Sequence, residues 1–181
     1  MRSRSAVVAL LLAGSFLFMP SHAWGQIQIA GEGRAGVTFP TGDLSSQGAE
    51  AGLSLGAEAQ FTFQRNVTAY VGLNRHAFSC DSDCDLGPNP RSSGLNAGLK
   101  YIFPSPPDAL IWGRAGLLAN RLSTDDSSRD RNLGFEAGAG IDMPVAQSLY
   151  LVPHLGFMTH DAGDGFRANW VTLGLGVHYH F

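Results

Sequence analysis

The stretch Val171-Thr172-Leu173-Gly174-Leu175-Gly176-Val177-His178-Tyr179-His180-Phe181 puts an apolar side chain at every odd position and Thr, Gly or His at every even one. Side chains alternate across a strand with period two, so this is a ribbon with one greasy and one polar face. The pattern recurs upstream. Ile27, Ile29, Ala35, Val37 and Phe39 alternate with Gln28, Glu32, Arg34 and Thr38. Leu53, Leu55, Ala57, Ala59, Phe61 and Phe63 alternate with Ser54, Glu58, Gln60 and Thr62, preceded by Glu50 and Ala51 in the same phase. Leu133, Phe135, Ala137, Ala139, Ile141 and Met143 alternate with Glu136 and Asp142. Weaker copies span 67–78, 94–103, 109–122 and 149–160.

Eight such segments are an even number, each about as long as a tilted membrane-spanning strand needs to be. The connections alternate in length. Residues 64–66, 104–108 and 144–148 read as short turns, whereas 40–48, 79–93, 123–132 and 161–167 read as longer polar loops. That asymmetry is the one expected of periplasmic turns and extracellular loops.

The N-terminus predicts export. Arg2 and Arg4 precede an uncharged run from Ala6 to Met19, too short for a spanning helix, which Pro20 ends. Ser21-His22-Ala23 supplies the small-x-small cleavage pattern, so residues 1–23 are expected to be a signal peptide and 24–181 the mature domain, with cleavage after Gly25 as the alternative. The mature part then carries 10 basic and 15 acidic side chains, a formal charge of −5, which does not suit nucleic acid. No later segment is apolar enough for a transmembrane helix, so a membrane protein with this sequence must be a closed barrel.

A soluble sandwich also alternates, and the polar face separates the two folds. Here that face carries much Gly and single charges of both signs: Glu32, Arg34, Glu50, Glu58, Lys100, Arg114, Glu136 and Asp142. Eight strands enclose just enough space for side chains, so a narrow lumen needs small residues and paired charges. Aromatics near strand ends (Phe39, Phe61, Phe63, Tyr101, Phe103, Tyr179, Phe181) match interfacial girdles. Arg75 falls on the lipid face, either at headgroup level or behind a bulge that shifts the phase. The sequence therefore predicts an all-β, eight-stranded antiparallel up-and-down transmembrane barrel.

The terminal Phe181, with Leu173, Leu175, Val177 and Tyr179 before it at every second position, looks like the assembly signal of outer-membrane barrels. With the export signal, the eight segments and the Pro40-Thr41-Gly42-Asp43 exit from the first strand, the mature chain resembles the small outer-membrane β-barrels typified by OmpX and the OmpA barrel domain. The resemblance implies a bacterial outer-membrane location. It also implies contact with outer-membrane lipid and lipopolysaccharide, handling by the barrel-assembly machinery, and a monomer.

Several motifs have plainer readings. Gly31-Glu32-Gly33-Arg34-Ala35-Gly36 matches a dinucleotide fingerprint but lies inside a strand, without the helix that the fingerprint must open. Cys80 and Cys84 read as a disulfide in an exported chain. Asp81, Asp83 and Asp85 resemble the opening of a calcium loop, yet Ser92 stands where its bidentate glutamate belongs, so a solvated acidic loop is the reading. His154, His160, His178 and His180 all point inward at different depths, which suits lumen hydrogen bonding better than a metal. His160 and Asp161 lie near Thr159 at the outer rim, and no nucleophile-base motif appears on a lipid-facing strand. No cofactor, metal or catalytic residue is expected. Two function classes remain: a structural or surface-interaction barrel plugged by its charged lumen, and a narrow ion or small-solute channel. A lipid A-modifying enzyme ranks below both.

Overall fold

A computed structural model describes residues 27–80, 84, 86–106, 108–125, 128–163 and 165–181, with backbone alone for 128 and 129. Residues 1–23, Asp81, Asp83 and Asp85 lie outside the described residues, and with them the export signal and the acidic loop. Eight strands follow in order: β1 Gln28–Thr41, β2 Ala49–Gln64, β3 Val67–Cys80, β4 Arg91–Ile102, β5 Leu110–Ser123, β6 Ser128–Ala146, β7 Leu149–Asp161 and β8 Arg167–His180. Each pairs antiparallel with its sequence neighbour, and β8 pairs with β1 to close the barrel. Closure leaves no unpaired edge.

The register sets the tilt. From Thr62 it passes through Thr68, Lys100, Arg114, Gly138, Gly156, Thr172 and Thr38, and returns to β2 at Gly52, ten residues from its start. A displacement of that size over eight strands inclines them by about 40° to the barrel axis. Odd-numbered apolar residues such as Leu53, Leu55, Leu73, Leu117, Leu133 and Leu173 face outward and are exposed, while even-numbered Glu58, Lys100, Glu136 and Trp170 are buried inside. An exposed apolar wall around a polar interior is stable only against hydrocarbon.

The strands extend further toward the long-loop end than composition suggests. Connections shrink to 42–48, 81–90, 124–127 and 162–166, and residues 128–132, read as loop, belong to β6. Pairing continues there because the inward face still packs, while the outward face has left the apolar band and carries Arg121 and Arg131. Arg75 lies in unbroken register with Leu55 and Ser93 on the outer face, so no bulge displaces it. A bulge does occur between Glu50 and Gly52, and it corrects one expectation. Ala49 turns inward and Glu50 is exposed, outside the lumen.

Candidate functional site

The lumen is filled by side chains, and its polar part forms two ion-paired groups. In the larger one Glu58 of β2 receives Arg34 of β1, and also Arg114 of β5 at 2.9 Å. Arg34 also reaches Glu32 (3.1 Å), and Arg114 reaches Glu136 of β6 (3.4 Å). Neutral donors take up the remaining carboxylate oxygens. Gln60 donates to Glu32 (2.7 Å) and Glu58 (2.8 Å), and Tyr70 (2.6 Å) and Asn96 (2.9 Å) both donate to Glu136. The Arg114 guanidinium lies 4.9 Å from the centre of the Tyr70 ring. A buried charge is tolerable only when paired and hydrogen-bonded; Glu58 and Glu136 each meet at least two donors, while Glu32 accepts one hydrogen bond, from Gln60, and faces Arg34 as an ion pair.

The second group sits nearer the short turns. Lys100 of β4 donates to Asp142 of β6 (2.9 Å), which also accepts from Trp112 Nε1 (2.7 Å), while Lys100 lies 4.5 Å from the Trp112 ring centre. His178 Nδ1 is 3.6 Å from Asp142, and the His178 ring stacks at 4.5 Å on His180. Beyond them a vestibule of 360 Å³ opens at the turn end, lined by Gln28, Thr68, Tyr150 and His180. Glycines make the space for these large side chains. A Cβ at Gly98 would lie 2.5 Å from the Tyr70 hydroxyl, and one at Gly140 would collide with the Trp112 ring.

Toward the loop end the lumen changes character. Phe78, Leu118, Leu122, Met158, Phe166 and Trp170 face inward in one buried cluster with Leu44. Leu44 belongs to α1, a single turn at Asp43–Ser46. It is bracketed by Gly42 (φ 58°) and Gly48 (φ 84°), in the left-handed region that glycine adopts without a Cβ penalty. The reversal drops Leu44 into the barrel mouth, where it is fully buried. Between charged groups and apolar cap, Asn74 accepts from Asn120 (2.7 Å), and Asn120 donates to Ser92 (3.0 Å). His160 Nδ1 donates to the Asp161 carbonyl (3.0 Å), which leaves Nε2, 3.2 Å from Ser92 Oγ, as the acceptor of the serine hydroxyl. Ser92 is completely buried, so this serine and histidine bridge β4 and β7 across the lumen without access for a substrate.

Of the charged residues named from sequence, Glu32, Arg34, Glu58, Lys100, Arg114, Glu136 and Asp142 meet in the lumen and Glu50 does not. His178 and His180 lie together at the turn end, with His154 and His160 at other depths, and no group of three or more metal-ligating side chains occurs among the described residues. Cys80 and Cys84 form a disulfide, Cα atoms 5.7 Å apart, at the base of the β3–β4 loop. Leu173, Leu175, Val177, Tyr179 and Phe181 line the outward face of β8. Sequence reading passed over Gln60, Tyr70, Asn96, Trp112 and the apolar cap. The four polar or aromatic residues do carry a signal, as large or amide-bearing side chains at even positions of alternating segments, whereas the cap carries none.

A family model for the outer membrane protein β-barrel domain matches residues 8–181. The chain belongs to that family. No curated protein matches it in sequence. Among solved structures it is similar to the Neisserial surface protein NspA, with a TM-score of 0.70 at 16% identity over 84% of this chain and 97% of that one. It also resembles the N-terminal barrel of Pseudomonas aeruginosa OprF, with a TM-score of 0.54 at 17% identity over 86% and 100% of the two chains. The attachment invasion locus protein Ail of Yersinia pestis follows at 0.51 and 11% identity, over 86% and 97%. At these identities the likeness is one of fold. The family and the apolar wall place this member in the bacterial outer membrane.

Proposed function

We propose that this barrel is a plugged wall protein of the outer membrane with a structural or surface-interaction role. One observation carries the reading: the charged groups cross the lumen from wall to wall and the apolar cap closes its outer mouth. A gap beside Arg34, Asn74, His76 and Arg114 has a volume of 30 Å³, space for about one or two waters. Ions would have to break buried pairs and cross the Trp170 cluster. The periplasmic vestibule thus ends blindly, and the enclosed Ser92–His160 pair is a bridge, which argues against a lipid A-modifying enzyme.

Single-channel recording of the refolded chain in planar bilayers tests this. The reading expects a silent membrane, and a stable, reproducible unit conductance refutes it in favour of the channel. Mass spectrometry of lipid A from expressing cells is expected to reveal no new acylation state.

The same reading takes residues 1–23 as a removed signal peptide, so N-terminal sequencing of the outer-membrane form is expected to begin at Trp24. It takes the outward face of β8, ending at Phe181, as the element read by the barrel-assembly machinery, and the folded protein as a monomer.

A further inference from the structure

The vestibule at the turn end holds a polar group that the lumen networks do not account for. His178 and His180 are successive inward positions of β8, and the period of two brings their side chains next to one another. His178 is 3% exposed, and neither of its ring nitrogens has a hydrogen-bond partner. A buried polar group left in that state costs about 1–3 kcal/mol, and its presence in a native interior needs a reason. His154 and His160 are not in that state, since their Nδ1 atoms meet the carbonyls of Val152 (3.3 Å) and Asp161 (3.0 Å). His76 is, but its ring packs at 5.0 Å on Trp170 in the sealed part of the lumen. His178 instead lines the 360 Å³ space that opens at the turns.

The two rings have the spacing of a chelating pair. Their centres are 4.5 Å apart, with the planes inclined by 35°. Two imidazoles bound side by side to one cation through nitrogen, each at about 2.1 Å, set their ring centres roughly 4.5–5 Å apart. Tyr150 of β7, the register partner of His178, walls the pair, its ring centre 5.7 Å from that of His178 and 5.3 Å from that of His180. On the inner side Asp142 Oδ2 lies 3.6 Å from His178 Nδ1. A carboxylate there favours the proton on Nδ1 and leaves Nε2 with its lone pair free, the arrangement that orients metal-bound histidines. Asp142 is itself held by Lys100 (2.9 Å) and Trp112 (2.7 Å), so it orients the ring without joining the coordination sphere.

The charge of the lining selects the kind of cation. Lys100 and Arg65 outweigh Asp142 there, so Mg²⁺ and Ca²⁺, which depend on anionic oxygen ligands, are disfavoured. A cation that bonds to neutral imidazole nitrogen is not.

We propose that the turn-end vestibule binds a divalent transition cation, of the class Cu²⁺, Ni²⁺ or Zn²⁺, through the His178–His180 pair, with Asp142 as the positioning residue. No third histidine, cysteine or carboxylate completes a cage among the described residues, so water in the vestibule fills the other coordination positions. The result is a site of reversible capture rather than a structural metal centre. It goes beyond the plugged reading and stands whether or not the lumen conducts.

The test is a titration of the full mature barrel, refolded in detergent without a polyhistidine tag, with Cu²⁺, Ni²⁺, Zn²⁺ and Mg²⁺. Calorimetry reads affinity, and electron paramagnetic resonance reads the ligands of Cu²⁺. The expected result is one cation per barrel, Cu²⁺ held most tightly and Mg²⁺ not at all, with hyperfine coupling to two nitrogens. His180→Gln, at the half-exposed end of the pair, weakens binding about tenfold or more and removes one nitrogen from the spectrum. His178→Gln does the same. Asp142→Asn weakens binding about tenfold or more but keeps both nitrogens, which separates positioning from ligation. His160→Gln, toward the loop end, leaves affinity and spectrum unchanged. Heat-modifiable mobility shows which variants fold, and the wild-type spectrum tests the site without any of them. A wild-type spectrum of oxygen ligands alone, wild-type affinity when both histidines are replaced, or Mg²⁺ bound as tightly as Cu²⁺ overturns the site.

Discussion

Glu58 accepts two guanidinium groups and an amide, so three side chains each lose one of two acidic partners if its charge is removed. Breaking a buried pair by neutralising one member leaves the other charge desolvated, at a cost of about 3–5 kcal/mol. Glu58→Gln is therefore expected to lower unfolding stability in lipid vesicles by that amount, measured by urea titration. Loss of Arg114 in the same background is expected to restore part of it. Tyr70 depends on bare backbone at Gly98 and Gly116, where an added Cβ would meet its hydroxyl. Gly98→Ala is expected to push Tyr70 off Glu136 and cost about 1–3 kcal/mol by overpacking. The same Cβ would also collide with the Ala115 carbonyl, so a neutral effect in the same titration would mean that both the tyrosine and the β5 backbone give way.

Strand phase decides which side chains reach the lumen, and a single bulge is enough to exclude Glu50. Nothing in residue type marks that bulge, since Ala49, Glu50 and Ala51 fit either phase, whereas Glu58 and Gln60 eight and ten residues on are fixed by the apolar run around them. Strand ends are hidden for a related reason. Arg131 looks like a loop residue because alternation loses its apolar half once the wall leaves the hydrocarbon, though the backbone pairs on with Arg121. The inward charges were legible because they interrupt greasy segments. The cap was not, because Leu118, Met158 and Trp170 are apolar at positions where polarity was the marker of the lumen. Leu44 holds α1 in the mouth, and Leu44→Ala is expected to cost about 2 kcal/mol and to speed proteolysis of the β1–β2 loop. At the other end, Phe181 is 84% exposed and its amide donates to the Ile29 carbonyl (3.1 Å), a bond that survives substitution. Phe181→Ala is thus expected to refold normally in detergent yet accumulate unassembled in cells, as read by the heat-modifiable fraction on gels.

At the scale of the whole molecule, closure and filling are one problem. Eight strands with a ten-residue displacement fix a lumen that side chains can fill, and 23 glycines among 181 residues let tyrosine, tryptophan and arginine share it. The wall can then be greasy without exposing an edge, and the interior polar without holding a water column. Thiol reactivity measures that filling directly. Ser54→Cys, Thr38→Cys and Thr172→Cys each place a small thiol inside the folded barrel, in a chain whose two native cysteines are joined to each other. All three are expected to resist a charged, water-soluble thiol reagent applied to either side of the bilayer, until urea unfolds the protein, while Ser46→Cys on the outer loop reacts at once. Modification of the lumen thiols at a rate near that of the loop control would contradict a plugged interior.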